Sequence, residues 1–385
     1  MSQRIYLDHN ATTPLAREVI AAMSPFLAEA YGNPSSLHWA GVAARDAVET
    51  ARAQVAALLC CDATEIVFTS GGTEADNQAL KGLFFSRRAR GVVSHAVGRA
   101  PFHVITSVVE HPAVLEPCRF LETLGAEVTR LGVDGYGLVD PDDVRRAIRP
   151  HTALVSIMHA NNEVGTIQPL GEIAAIAREH GVVCHSDAAQ TVGKIPVDVE
   201  SLGVDLLSVA GHKLYGPKGV GALFVREGAC LDLEPFMHGA EHEAGRRAGT
   251  ENVLEIVGLG AACELASSWI DSSAVAELRD AFWQALQTHF GERVVLNGHP
   301  EHRLPNTLNV SFRERRGHEV LALIPNVAAS TGSACHAGSL HVSPVLEAMR
   351  VPEDVGLGAV RFSLGRGTTS SEIDSVVELL VRNWA

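Results

Sequence analysis

Short runs of β-branched and aliphatic residues alternate with helical stretches from about residue 64 to 227, and this alternation restricts the fold more than any other feature. Strands that alternate with helices favour repeated βαβ units around a largely parallel sheet. Helices fit between most of the strands, for example over 115–125 and 170–181. The sequence therefore predicts an α/β protein with strands at 65–70, 103–110, 127–133, 152–160, 182–187, 205–210 and 221–226.

The pattern changes after about residue 265, where a helix, short strands, a Gly/Ser-rich loop and a final strand and helix follow one another. With 385 residues, the chain is also too long for one typical domain. We therefore expect a large domain over 15–262 and a smaller α+β domain formed by 1–14 and 263–385. Segment 86–101 is rich in basic residues and lacks periodicity, which predicts an exposed loop.

Charge and hydropathy exclude several classes of partner. The formal net charge of −14 argues against a nucleic-acid surface, which needs clustered Lys and Arg. No run of 18 apolar residues predicts a membrane span, and the N-terminus lacks a signal-peptide pattern. We expect a cytoplasmic protein that acts on small molecules or proteins.

Polar residues follow five of the predicted strands. In an open parallel sheet, ligands bind beyond the carboxyl ends of the strands, so these residues are candidates for one site. Together they supply hydroxyl, imidazole, amide, carboxylate and amine groups. They are Gly71, Gly72 and Thr73, then His111, then Asn161 and Asn162, then Asp187 and Gln190, and finally Gly211, His212 and Lys213.

The segment SGGTEADN follows a strand and opens a helix, which is typical of a site for one phosphate. Small residues let the backbone approach an anion, and the free N–H groups and the helix dipole favour negative charge. The segment lacks the ending of a nucleotide P-loop. A plain helix cap is the alternative interpretation.

Lys213 is the sharper feature, because it lies among apolar residues at the end of a predicted strand. Such a lysine can have a lowered pKa and form a Schiff base, although a surface lysine with a buried stem is the alternative. Asp187 could cap a helix, but a carboxylate is also what holds the pyridinium nitrogen of a pyridoxal cofactor.

Cys335 stands apart from the other cysteines because it lies in STGSACHAGSL, a segment of small residues and hydroxyls that predicts a mobile loop. The remaining cysteines lie in apolar or periodic segments and are interpreted as packing residues. The spacing of His238, Glu241 and His242 fits a zinc motif, but the flanking glycines indicate a loop rather than the required helix. No metal is predicted.

Ten motifs in order from residue 6 to 369 resemble the cysteine desulfurases of the class V aminotransferase family, which are fold-type I pyridoxal-phosphate enzymes and close relatives of selenocysteine lyases. The motifs are YLDHNATTP, GNPSS, SGGTEADN, EHPAVL, ANNEVG, HSDAAQ, GHKLYGPKG, RAGTEN, GSACHAGSL and RFSLGRGTT. The longer form of the Cys335 segment is similar to the group that feeds iron–sulfur cluster scaffolds.

The resemblance implies a role for each matching residue. Lys213 would carry pyridoxal 5′-phosphate, Cys335 would take the sulfur, and His111 would stack on the cofactor. Ala210 replaces a serine that gives most relatives another hydroxyl for the phosphate. The implied cofactor-binding residues are Gly72, Thr73, His111, Asn162, Asp187, Gln190, His212, Lys213 and, from the other subunit of a homodimer, Thr250; the implied substrate-binding residues are Asn33, Asn162 and Arg361, the last as a bidentate carboxylate clamp.

The implied function is desulfuration of L-cysteine to L-alanine, with transfer of sulfur to Cys335 as a persulfide. A sulfur-acceptor protein, such as an iron–sulfur scaffold, is the implied partner. Selenocysteine lyase activity is the nearest alternative, because it uses the same cofactor chemistry. A class V aminotransferase and an inactive scaffold for sulfur-trafficking partners are the remaining alternatives.

Overall fold

The computed structural model describes residues 4–91, 102–228, 232–270, 272–331, 333–336 and 339–384, although the side chains of 332–340 lie outside the description. Its strands are β1 (Ile5–Tyr6), β2 (Ile66–Thr69), β3 (His103–Ser107), β4 (Glu127–Leu131), β5 (Thr152–Ser156), β6 (Val183–Asp187), β7 (Leu206–Ala210), β8 (Gly221–Val225), β9 (Val294–Asn297), β10 (Thr307–Phe312), β11 (Val327–Ala328), β12 (Ser330–Thr331), β13 (Ser333–His336), β14 (Ser339–Val342) and β15 (Ala359–Ser363).

The helices pack on both faces of the larger sheet and on one side of the smaller sheet. They are α1 (Arg17–Met23), α2 (Trp39–Leu59), α3 (Gly72–Ala89), α4 (Pro112–Thr123), α5 (Pro141–Ala147), α6 (Leu170–Glu179), α7 (Val199–Leu202), α8 (Val253–Ala266), α9 (Ala274–Phe290), α10 (Gly317–Leu323), α11 (Pro344–Ala348), α12 (Glu353–Gly356) and α13 (Ser370–Asn383).

Seven strands form the main sheet of the described chain, in the order β2-β8-β7-β6-β5-β3-β4. Every predicted strand between residues 65 and 226 is present, and the neighbouring pairs from β7 to β4 are parallel. Strand β8 runs antiparallel to both β2 and β7. The predicted α/β class with a mostly parallel central sheet is therefore confirmed.

Alternation of side chains along each strand divides the core into two apolar layers. In β2, Ile66 and Phe68 belong to the apolar layer that includes side chains of α2, α6 and α8, whereas Val67 belongs to the layer that includes side chains of α3 and α4. Strands buried on both faces read as continuous apolar runs, which explains why the sequence pattern marks them clearly.

A second, antiparallel sheet has the order β12-β15-β10-β9 and packs on helices α9, α10 and α13 through its own apolar cluster. Strand β1 pairs with β11, so the N-terminal segment is held beside this smaller sheet. The domain boundaries at 14/15 and 262/263 stay a prediction.

Segment 86–101 was predicted to be a loop, and this is wrong for its first residues. Helix α3 continues through Ala89, and Ser86 is buried. Apolar residues repeat at helical spacing up to Phe84 and Phe85, and the helix carries the basic residues that follow in its last turn. Residues 92–101 lie outside the described part. No helix within the described ranges is long and apolar enough to span a membrane.

Cys60 was interpreted as a packing residue, but it is exposed and adopts a left-handed conformation at the end of α2. Cys118, Cys184 and Cys263 are buried, as expected. A glycine usually occupies such a left-handed position at a helix end, because a side chain is unfavourable there. Here Cys60 is the C-cap instead.

Gly165 fixes the loop that leads from β5 to the site. Its φ of +79° lies in the left-handed region, and a Cβ at this position would lie 2.8 Å from Cβ of Thr307. The loop is closed by Asn161, whose side-chain oxygen accepts hydrogen bonds from the backbone N–H of Glu163 and Val164. Glycine is therefore required both by backbone conformation and by space.

We predict that Gly165→Ala lowers the free energy of unfolding by about 2–4 kcal/mol, because it combines a positive φ with overpacking. Urea unfolding measures this loss. The control is Gly171→Ala in the first turn of α6, where an added Cβ meets no atom within 4 Å. That control should be neutral or stabilising by up to about 1 kcal/mol, and equal losses in both variants would contradict the prediction.

Candidate active site

A cavity of about 420 Å³ opens at the carboxyl ends of β2, β3, β5, β6 and β7. It brings together most of the residues predicted from the strand ends. These are Gly72, Thr73, His111, Asn162, Asp187, Gln190, His212 and Lys213, and Arg361 of the smaller sheet joins them. A larger cavity of about 1070 Å³ near Asp134 and Glu172 contains none of the predicted site residues.

Lys213 lies in a 3₁₀ turn directly after β7, and its side chain points back to the N-terminal segment. Its Nζ donates hydrogen bonds to the backbone oxygens of Asn10 and Ala11, at 2.6 and 2.7 Å. Burial, with a contribution from the Arg361 charge, lowers the pKa of this amine to about 8. A substantial fraction is therefore neutral and nucleophilic near pH 8.

Asp187 ends β6 and is buried, with one carboxylate oxygen accepting the backbone N–H of Ala189 at 2.9 Å. Burial raises the pKa of this carboxyl group, while His111 and Lys213 act in the opposite direction. A cationic ligand group beside it would therefore be stabilised by an ion pair in a medium of low polarity.

His111 caps the N-terminus of α4, where its Nδ1 accepts the backbone N–H of Ala113 at 3.1 Å. This contact places the proton of the neutral ring on Nε2. The surrounding protein excludes part of the solvent from His111, and this desolvation lowers the pKa of the imidazole, although the residue remains exposed where it borders the cavity. A neutral imidazole thus borders the cavity.

The first turn of α3 borders the cavity at Gly72 and Thr73, and no side chain caps it. Its free N–H groups and positive dipole end form an anion site. A Cβ at Gly72 would lie 3.3 Å from Cβ of Ala210, so the space over this turn is narrow. His212 lies on the same side of the cavity, and burial lowers its pKa to about 4. Its Nδ1 forms a hydrogen bond with Thr12 Oγ1 at 3.1 Å.

Arg361 extends from β15 of the smaller sheet into the cavity. Its Nη1 donates to the backbone oxygen of Asn162 at 2.9 Å, and its Nη2 forms an ion pair with Asp8 Oδ1 at 2.7 Å. The guanidinium therefore reaches the cavity in a fixed orientation. A fixed arginine in a partly buried site recognises carboxylates well.

Asn10 was not predicted, yet it joins both sheets at the cavity. Its side-chain oxygen accepts hydrogen bonds from Lys194 and Asn306, both at 3.0 Å. Its side-chain nitrogen donates to Thr307 Oγ1 and to the backbone oxygen of Asn162. The sequence offered no signal for this role, because every one of these partners is more than 150 residues away.

Asp76 was also missed, although its position could have suggested it. It lies one helical turn after Gly72 on α3, so the two share a helix face. Both carboxylate oxygens are buried and have no hydrogen-bond partner among the described residues, and Oδ1 is 3.5 Å from His185 Nε2. Burial and the charge of Asp187 both raise the pKa of the Asp76 carboxyl group.

Gln190 is oriented by its neighbours, since Lys194 donates to its oxygen at 2.7 Å and its nitrogen donates to the backbone oxygen of Asn10 at 3.1 Å. Asn33 and Thr250 are exposed and do not line the cavity of this chain.

Cys335 was placed in a loop, but its backbone belongs to β13 and pairs with Leu340 of β14 in a hairpin. Its side chain lies outside the described residues. No cluster of three or more potential metal ligands occurs within the described ranges. The loop at His238 and His242 that resembles a zinc motif is irregular, with each imidazole near one carboxylate, of Glu234 and Glu251 respectively.

Comparison with known proteins shows similarity over nearly the whole chain. Residues 5–376 match the family model described as "Aminotransferase class-V". The protein named cysteine desulfurase IscS from Dictyoglomus turgidum is 48% identical over 386 residues, which cover 99% of this chain and 95% of the relative.

Solved structures agree with the sequence comparison. A structure titled "NifS-like protein" superposes with a TM-score of 0.89 at 36% identity, covering 99% of both chains. A structure titled "SspA in complex with cysteine" gives a TM-score of 0.82 at 38% identity and covers 94% of this chain and 98% of that chain.

We predict that Asn10→Ala lowers the free energy of unfolding by about 2–4 kcal/mol, because the partly buried amine of Lys194 and the buried amide of Asn306 lose an acceptor. Urea unfolding with detection of both sheets by tryptophan fluorescence and circular dichroism measures this. Asn383→Ala is the control, since it removes a single hydrogen bond to the backbone of Leu323. A loss no larger than in that control would contradict the role of Asn10.

Proposed function

The chain belongs to the class-V aminotransferase family, and from this membership we propose that it is a pyridoxal-phosphate-dependent cysteine desulfurase. It converts L-cysteine to L-alanine and takes the sulfur onto Cys335. The observation that carries the proposal is the common cavity of Lys213, Asp187 and Arg361. The name of the relative from Dictyoglomus turgidum and the cysteine complex of the similar structure favour this substrate over selenocysteine.

The donor set of the cavity fits pyridoxal phosphate. The uncapped first turn of α3 would hold the phosphate, with Thr73 and His212 beside it. Asp187 would hold the ring nitrogen, His111 would stack on the ring, and Gln190 would donate to its phenolic oxygen. The side chain of Lys213 reaches the same space and would hold the aldehyde carbon.

When bound, pyridoxal phosphate supplies an electron sink that weakens the bonds at the α-carbon of an amino acid. Asp187 would maintain this property by pairing with a positively charged ring nitrogen. Lys213, with its lowered pKa, accepts and returns a proton near neutral pH. Asn162 and Arg361 hold the substrate carboxylate and so orient the α-hydrogen toward the lysine.

Sulfur transfer requires a nucleophile in addition to these groups. The Cys335 thiolate attacks the substrate sulfur, so an S–S bond forms while the carbon–sulfur bond breaks. The electron pair left on the substrate carbon takes up a proton and gives L-alanine. Cysteine and one enzyme thiol thus yield alanine and one persulfide, without an external oxidant.

A homodimer is part of the proposal. Four large apolar side chains between α1 and the start of α2 are strongly exposed, namely Leu27 (70%), Tyr31 (72%), Leu37 (88%) and Trp39 (77%). Clustered exposed apolar residues are typical of an interface. A second copy would cover them and bring Thr250, which this cavity lacks, to the partner's phosphate site. Asn33 belongs to the same segment and would reach substrate near this boundary.

The proposal retains the two predicted domains, 15–262 for the cofactor and 1–14 with 263–385 for the Cys335 hairpin. The separate apolar clusters of the two sheets support this division. A sulfur-acceptor protein, such as an iron–sulfur scaffold, would receive the persulfide from the smaller domain.

Incubation with L-cysteine is expected to add the mass of one sulfur atom to Cys335, because this thiol is the proposed acceptor. Intact-mass analysis and peptide mapping measure the addition, and alanine is quantified in the same sample. Cys60→Ala is the matched control for an exposed cysteine outside the site and should retain full labelling. Full labelling of a Cys335→Ala protein at the normal rate would refute the assignment.

Capture of pyridoxal phosphate by the apo-protein should depend on pH, because only the neutral amine of Lys213 is nucleophilic. With a pKa lowered to about 8, the capture rate rises as the pH increases toward 8 and levels off above it. Stopped-flow absorbance of the cofactor measures the rate.

The reference for this profile is Nα-acetyl-lysine amide, whose ordinary amine should keep gaining rate well above pH 9. Arg361→Gln removes a positive charge near the amine and should move the plateau to higher pH. A Lys213 profile that follows the free amine would contradict the lowered pKa.

A further inference from the structure

We propose that Asp8 is a positioning residue for the reaction, which holds the Arg361 guanidinium in the plane that meets the substrate carboxylate. The inference rests on the proposed function, because it takes an α-amino acid as the ligand of Arg361. Asp8 was not among the predicted site residues and lies just outside the cavity lining.

The contacts around Arg361 form a closed group of three side chains. Asp8 Oδ1 accepts from Arg361 Nη2 at 2.7 Å and from Ser330 Oγ at 2.9 Å. Ser330 Oγ in turn accepts from Arg361 Nη2 at 3.2 Å. One carboxylate oxygen thus fixes both the guanidinium and the hydroxyl that supports it.

Most of the N–H groups at the Nη atoms of Arg361 are already engaged in hydrogen bonds within the protein. Nη2 uses both hydrogens on Asp8 and Ser330, and Nη1 uses one on the Asn162 backbone, whereas Nε is buried and has no partner among the described residues. Rotation of the planar group would break three hydrogen bonds at once. The remaining Nη1 hydrogen is the donor that is left for a ligand in the cavity, so in this arrangement Arg361 offers one hydrogen bond rather than the bidentate clamp that the resemblance implied.

Asp8 itself is held by the backbone. It forms a parallel bridge with Ser363, and the N–H of Ser363 donates to the Leu7 oxygen at 2.7 Å. Ser363 and Arg361 lie two residues apart on β15, so they face the same side of the strand. The distance between Asp8 and Arg361 is therefore set by strand geometry rather than by flexible side chains.

Charge balance provides an independent reason for an acid at this position. Arg361 lies near the amines of Lys213 and Lys194 and lowers the pKa of both, whereas Asp8 acts in the opposite direction on Lys213. Glu163 also faces Arg361, but burial raises its pKa and it bonds to the Ser343 hydroxyl. Asp8 is thus the hydrogen-bonded anionic partner of Arg361.

The test uses the holoenzyme and two ligands that differ only at the carboxyl group, L-alanine and L-alaninamide. Asp8→Ala should weaken L-alanine binding roughly 10-fold or more, as expected when a charge-assisted hydrogen bond is lost, and leave L-alaninamide within about 2-fold. Titration followed by cofactor absorbance gives both dissociation constants. Asp8→Asn, which keeps the acceptor oxygen without the charge, should fall between wild type and Asp8→Ala.

Steady-state kinetics with L-cysteine adds a second readout, in which KM rises in Asp8→Ala by a similar factor while kcat changes less than about 3-fold. Glu18→Ala is the matched control, because it removes an arginine-paired carboxylate of the same N-terminal region that lies 3.4 Å from Arg366 and outside the cavity. It should leave both dissociation constants unchanged. The thermal midpoint of each variant reports any loss of folding.

Equal weakening of L-alanine and L-alaninamide would overturn the assignment, since general damage does not distinguish the two ligands. Unchanged L-alanine binding in Asp8→Ala would overturn it as well. If the wild-type enzyme releases no sulfur from cysteine but Asp8→Ala still weakens L-alanine selectively, the proposed function fails while the role of Asp8 stands.

Discussion

The hydrogen bonds from Lys213 to the backbone of Asn10 and Ala11 connect the two sheets at the point where chemistry is expected. Asn10 extends the connection to Thr307 of the smaller sheet and to Lys194 behind Gln190. A partly buried amine needs acceptors, and these come from a segment that precedes the first helix. The N-terminal segment therefore forms one wall of the cavity, and the shape of the cavity depends on both sheets.

Much of the fold could be predicted because strands buried on both faces have an unambiguous pattern. Each predicted strand between residues 65 and 226 is present, although 103–110 and 152–160 end earlier, at Ser107 and Ser156. Direction was not predictable for β8, since periodicity carries no information on whether a strand runs parallel to its neighbours. The end of α3 was not predicted because its last turn carries Arg87 and Arg88 instead of apolar residues at helical spacing.

The residues of the candidate site also fall into a group that the sequence predicts and a group that it does not. Residues directly after strands, such as Asp187 and Lys213, follow from the rule that parallel strands present their carboxyl ends at one edge. Asp8, Asn10 and Asp76 do not follow from it. The first two reach the site through contacts hundreds of residues apart, and the third lies within a helix where an acid is ordinarily solvated. Long-range geometry, rather than local pattern, therefore determines how the reactive groups are held.

The antiparallel strand β8 affects how closely the backbones approach one another beside the site. It lies between β2 and β7, yet the anion-binding turn after β2 still meets the end of β7, because a Cβ at Gly72 would lie 3.3 Å from Cβ of Ala210. The carboxyl end of β8 points away from the cavity, because the strand is antiparallel to its neighbours. Gly221 at its start leaves room for Gly71, since a Cβ at Gly221 would lie 2.7 Å from Cα of Gly71. Small residues at the ends of β2, β7 and β8, namely Gly71, Ala210 and Gly221, therefore let the three backbones converge beside the anion-binding turn.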